Sequence, residues 1–168
     1  NAIRLAVNRA QNDNLSNWAS SNWNTKEGVE ESVLLYQYFE NQKEDFLERL
    51  NKVNPDLLII SCMTLGYRGA VEIATLAKDY LKEDLLIIIG GKHIIETTYL
   101  KNGRINENID SPLFQIRNKL IRPIFDLVIS GDGEEIIADI GELIYQSGIP
   151  FNKNNFFNEI ESLKKSKG

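Results

Sequence analysis

The chain has 168 residues, one cysteine and a net charge of −5, with a pI near 5.0. That length suits one domain with a full core, the acidic balance argues against a nucleic-acid module, and a lone Cys62 excludes both an internal disulfide and an iron–sulfur cluster held by this chain alone. No apolar run reaches the ~20 residues of a membrane span and no secretory signal opens the sequence, so a cytoplasmic domain is expected; Asn1-Ala2 in place of a methionine reads as a piece of a longer gene product.

In chain order, residues 3–7 are apolar and read as a first strand. Residues 8–31 are rich in Asn and Ser around Trp18 and Trp23, and read as a long loop. Residues 33–39 are β-branched and aromatic enough for a second strand. Asn41 and Glu44 have the capping-box spacing, and the helix after them lines up Phe46, Leu47, Leu50 and Val53. Asn54-Pro55 stops that helix. Residues 57–60 are then an apolar strand, of the kind buried on both faces of a covered sheet.

The pattern repeats. Ala70, Ile73, Ala74, Ala77 and Leu81 form the next helical stripe, and residues 85–89 the next apolar strand, ended by Gly90-Gly91. Residues 92–124 are less regular, with a helix expected over about 113–121 between Pro112 and Pro123. Residues 125–129 read as the last strand. A helix from about Glu134 turns Ile136, Ile137, Ile140, Leu143 and Ile144 inward and ends at Gly148. Residues 151–168 read as a linker or short helix carrying Phe156, Phe157, Ile160 and Leu163. Alternating strands and helices predict a doubly wound, mainly parallel five-stranded α/β sheet with helices on both faces, spanning 1–150.

In such sheets ligands bind beyond the carboxyl ends of the strands. Three turns fall there: Ser61-Cys62-Met63-Thr64-Leu65-Gly66, Gly90-Gly91-Lys92-His93, and Gly131-Asp132-Gly133-Glu134. Their glycines allow tight turns and close approach, and their hydroxyls donate and accept. The chemistry is mostly neutral, which suits a large amide-bearing ligand with a slender tail. A polyphosphate is disfavoured by Asp132, Glu134 and Glu135 at a helix start.

The ordered set of Pro55-Asp56, the Ser61 turn, Gly90-Gly91-Lys92-His93 and Gly131-Asp132-Gly133-Glu134 resembles the cobalamin-binding domain of radical-SAM enzymes. The resemblance covers about residues 55–145. It implies a flavodoxin-like or Rossmann-like fold of the B12-binding type. It implies that Ser61, Met63, Thr64, Leu65, Gly66, Gly90 and Gly91 flank the corrinoid's nucleotide tail, that Lys92 and His93 belong to the same binding site, and that Gly131, Asp132, Gly133 and Glu134 sit at the rim near the tail or the corrin edge. It further implies a parent enzyme of methyltransferase type, whose radical-SAM domain holds S-adenosylmethionine and a [4Fe-4S] cluster outside this chain. The module itself would bind and orient cobalamin without turning over. An Asp-x-His-x-x-Gly motif, which supplies a lower cobalt ligand in some B12 proteins, is absent.

Plainer readings stand beside these. A lone His93 without Cys or His neighbours gives no zinc pattern and reads as a locally hydrogen-bonded loop residue. Cys62 reads as a small buried hydrophobe, and Ser61 lacks a nucleophile elbow. The alternatives are a cofactor-free flavodoxin-like regulatory or interaction domain and an enzyme using another cofactor on the same architecture.

Overall fold

The computed structural model describes residues 36, 39–81, 85–131, 133–146 and 151–166. They belong to two compact units, one formed by residues 34–133 and the other containing the two C-terminal helices. The first expected strand and the loop with Trp18 and Trp23 lie outside the described residues. So does the second expected strand, apart from Tyr36 and Phe39. Of these, Tyr36 has irregular backbone and Phe39 opens a 3₁₀ turn, Phe39–Asn41, so no strand reaches Phe39. Both rings meet Phe46 edge-on.

Helix α1, Lys43–Val53, buries Phe46 and Leu50, while Val53 is exposed. Its N-cap is Gln42, without a side-chain cap bond, so the Asn41–Glu44 capping box does not form. Asn54 ends the helix in the left-handed region and donates its N–H to Leu50 O, a conformation Asn adopts more readily than most residues.

Strand β1, Leu57–Ser61, pairs in parallel with β2, Leu86–Gly90, in the register Leu57↔Leu86 to Ser61↔Gly90. The two are joined by α2, Tyr67–Leu81, which lays Ala70, Ala74 and Ala77 on the core. Alanines let a helix lie close over a sheet. The sheet continues to β5, Leu127–Val128, in the order β1-β2-β5, all parallel. The last strand is shorter than the five residues expected of it.

Every side chain from Leu85 to Ile89 is buried, and Leu85, Ile87 and Ile89 join the cluster containing Phe46, Leu50 and the α2 alanines. Leu86 and Ile88 point to the opposite face and are buried too, so β2 is covered on both sides. The same expectation for β1 is not met. Its Ile59 is 43% exposed because β1 is the outer strand among the described residues.

Residues 92–107, read as irregular from sequence, are regular. Gly91 caps a short helix, α3, Lys92–Thr97, which runs directly into β3, Thr98–Lys101. Asn102-Gly103, both at positive φ, turns the chain into the antiparallel β4, Arg104–Glu107. Helix α4, Pro112–Arg117, follows with Pro112 in its first turn. In the second unit α5 is Gly133–Gln146 and α6 is Lys153–Ser166. Ile140 is buried, but Ile136 is exposed, contrary to its expected place on the inner stripe. Asn152 caps α6 through its Oδ1, and Phe156 is fully buried. No described helix is long and apolar enough to cross a membrane.

Asp126 ties three elements together. Its Oδ2 accepts the Ile87 N–H of β2, its Oδ1 accepts from Lys78 of α2 at 3.0 Å, and its own N–H donates to Ile87 O. Lys78 and Asp126 are largely buried, so removing one partner strands the other. We expect Asp126→Ala to lower stability by about 3 kcal/mol in urea unfolding, whereas Asp79→Ala, which loses only the exposed pair with Arg122, changes it by less than about 1 kcal/mol.

Candidate functional site

The carboxyl ends of β1, β2 and β5 lie side by side, and each runs into one of the turns singled out from sequence. After β1 the ladder extends one residue, Cys62 N–H donating to Gly90 O at 3.1 Å. Met63 then leads into the 3₁₀ turn Thr64–Gly66. That turn projects into solvent: Met63 is 70% exposed and Leu65 101%. Ser61, Thr64 and Gly66 are exposed as well, and nothing lies within 4 Å of a Cβ built on Gly66.

Two neighbouring apolar side chains held mostly in water leave unburied area that a ligand or partner could cover. The turn is held in this posture by Thr64 Oγ1, which donates to Glu96 Oε2 of α3 at 2.6 Å. The hydroxyl donor holds the Glu96 carboxyl below the usual range, and Lys92 one turn earlier on α3 adds to the effect.

Gly91 is the tightest point. Its φ is +96°, and a Cβ there would stand 2.9 Å from Cys62 N, Cys62 O and Ser61 Oγ. A close approach was expected at this glycine, and the surface that approaches is the chain's own backbone after β1. Cys62 O also accepts the His93 N–H, so the first two turns are stitched together on both sides of Gly91. Gly90 is looser, with Ile129 O at 3.5 Å from its Cβ position.

After β5, Ser130 Oγ donates to Thr98 O, and Gly131 follows at φ +105° with open space around it. Gly133 begins α5. Asp132 and the Glu134 side chain lie outside the described residues.

His93 is on α3, not in a loop, and is 2% exposed. Its ring stacks on Tyr67 at 4.1 Å, and Nε2 sits 3.0 Å from Asp110 O, which requires the proton on Nε2. The buried Nδ1 has no partner. Cys62 Sγ is therefore outside hydrogen-bond reach of it, and the two form no catalytic dyad. Burial pushes the Cys62 thiol up to about 11, away from thiolate chemistry. Burial likewise raises the Tyr67 hydroxyl far above its ordinary value, and that hydroxyl donates to Gln115 Oε1. Sequence reasoning missed Tyr67, Glu96, Asp110 and Gln115, which brace the site. Only the Lys92–Glu96 spacing, four apart on one helix, could have signalled any of them.

No described group of His, Cys, Asp or Glu side chains is arranged to hold a metal ion. The arrangement carries no activated nucleophile and no acid–base pair among these residues. It offers an exposed crest of Ser61, Met63, Thr64, Leu65 and Gly66 above a rigid seam at Gly91. Comparison of the chain with protein-family models, curated proteins and solved structures finds no match to any of them.

The seam and the crest predict opposite mutational behaviour. Gly91→Ala should cost about 2–4 kcal/mol through overpacking and a left-handed Cβ, while Gly66→Ala should stay within about 0.5 kcal/mol. Thermal and urea unfolding of the two variants measure the contrast.

Proposed function

We propose that the chain is the cobalamin-binding module of a B12-dependent radical-SAM enzyme of methyltransferase type, and that it binds and orients a corrinoid without turning over by itself. One observation carries this reading: the Ser61–Gly66, Gly90–Gly91 and Ser130–Gly131 turns stand together at the carboxyl ends of three adjacent parallel strands. That is where open α/β sheets place their ligands. The full fold in this reading is the five-stranded doubly wound sheet, with residues 3–7 and the segment that leads up to the Phe39 turn supplying the other two strands.

The crest fits part of a corrinoid well. Met63 and Leu65 offer apolar contact to a broad ring, and the exposed turn that carries them lies where its edge amides would come, with the Thr64 hydroxyl, already donating to Glu96, left to accept. Gly66 and Gly131 leave room for close approach. Gly91 packs the direction of its missing Cβ against Ser61 and Cys62 and so holds the Ser61 turn in place, while its half-buried backbone flanks the tail. His93 does not fit as a cobalt ligand, because it is buried under Tyr67 with Nε2 committed to Asp110 O. When bound, the corrinoid supplies group-transfer chemistry at its cobalt. This chain's residues supply position and shielding. A radical-SAM domain is the partner, with S-adenosylmethionine and the [4Fe-4S] cluster held there, and the cytoplasm is the compartment.

The closed Cys62–Gly91 seam favours a second reading, a cofactor-free interaction domain whose exposed Met63 and Leu65 meet another protein. Titration with hydroxocobalamin and methylcobalamin, followed by absorbance and calorimetry, separates the two. The corrinoid reading expects saturable one-to-one binding, weakened about tenfold by Leu65→Glu with the melting temperature unchanged. Absence of binding both by this chain and by the full gene product supports the second reading and overturns the first.

A further inference from the structure

Away from the strand ends, the chain turns sharply after α4 and leaves a concavity of about 380 Å³ lined by Ile116, Lys119, Leu120, Ile121, Arg122 and Pro123. It is a shallow depression open to solvent, lined by apolar side chains together with Lys119 and Arg122. Leu120 is 61% exposed at its edge.

The turn is a Schellman motif. Lys119 N–H donates to Ile116 O at 3.0 Å, and Leu120 N–H donates to Gln115 O at 2.8 Å. Lys119 occupies the position usually held by glycine, with φ +59°. A lysine there carries backbone strain that glycine would relieve, and such strain persists where a side chain has another use. No described carboxylate pairs with Lys119, whereas its neighbours Arg117 and Arg122 are matched to Glu107 and Asp79. Among the described residues the concavity therefore presents one positive charge without a carboxylate partner beside an apolar bed, on a chain whose net charge is −5.

We infer that this concavity binds a small amphiphilic monocarboxylate, with Lys119 meeting the carboxylate and Ile116, Leu120, Ile121 and Pro123 receiving the apolar body. The single free charge sets the preference. A dianion such as phosphate would stand one charge short and would face the nearby Asp79 carboxylate that holds Arg122 at 2.8 Å.

The site is independent of the corrinoid reading, and its test uses other ligands. Octanoate, octanol and inorganic phosphate are titrated separately into the ¹⁵N-labelled chain, with amide shifts and calorimetry as readouts. Octanoate is expected to bind saturably and shift the amides of residues 116–122, with octanol and phosphate at least about tenfold weaker. Lys119→Gln keeps the left-handed turn and is expected to lose about tenfold in octanoate affinity. Lys119→Gly is expected to lose the same affinity while raising the melting temperature by a few degrees. Octanoate binding that is undiminished in Lys119→Gln, matched by octanol, or absent from the parent chain overturns the proposal.

Discussion

The strand ends are organised by one steric constraint, the contact of Gly91 with the backbone of Ser61 and Cys62. A parallel sheet leaves the residues after each strand free to diverge. Here Cys62 N–H reaches Gly90 O and Cys62 O accepts from His93, so the two chains stay together past the last ladder pair. Only a residue without Cβ fits between them, and its φ of +96° turns the chain from β2 into α3. The burial of His93 and Ile94, the stacking on Tyr67 and the bond from Thr64 to Glu96 all depend on where α3 begins.

That rigidity explains how a turn can present Met63 and Leu65 to water without collapsing onto them. The 3₁₀ turn is pinned at one end by Cys62, which is buried in the core, and at the other by α2 starting at Tyr67. Its hydroxyl is tied to a separate helix. Apolar surface held outward in this way is preorganised for a ligand or partner, which avoids ordering the loop at the moment of binding. The chemistry of the neighbouring buried groups points the same way. Cys62, buried with its thiol pKa raised, and His93, with Nε2 committed to Asp110 O, are packed into the platform beneath the turn.

Legibility from sequence followed physical locality. The α2 stripe, the all-buried β2 and the Asn54-Pro55 stop could be read because each rests on periodicity or on a backbone preference of one residue. Asn102-Gly103 was equally readable as a hairpin turn and was missed, since the flanking residues Leu100 and Ile105 are too exposed to stand out as an amphipathic pair. Of the aromatic run expected as a strand, most lies outside the described residues; its last residue, Phe39, opens a 3₁₀ turn and packs edge-on against Phe46. In the site, the three strand-end turns were legible as glycine and hydroxyl clusters. What fills the space at Gly91 was not, because sequence gives the need for close approach without naming the surface that approaches. Tyr67 and Asp110 reach His93 from distant elements, and Gln115 holds the Tyr67 hydroxyl; no local pattern encodes them.

The most direct measurement of the central claim is an amide-resolved map of the chain with hydroxocobalamin. The account predicts shifts concentrated at residues 61–66 and 130–131, with His93 keeping its Nε2-protonated ring and its bond to Asp110. Shifts confined to other surfaces, or a His93 nitrogen coordinating cobalt, would contradict it.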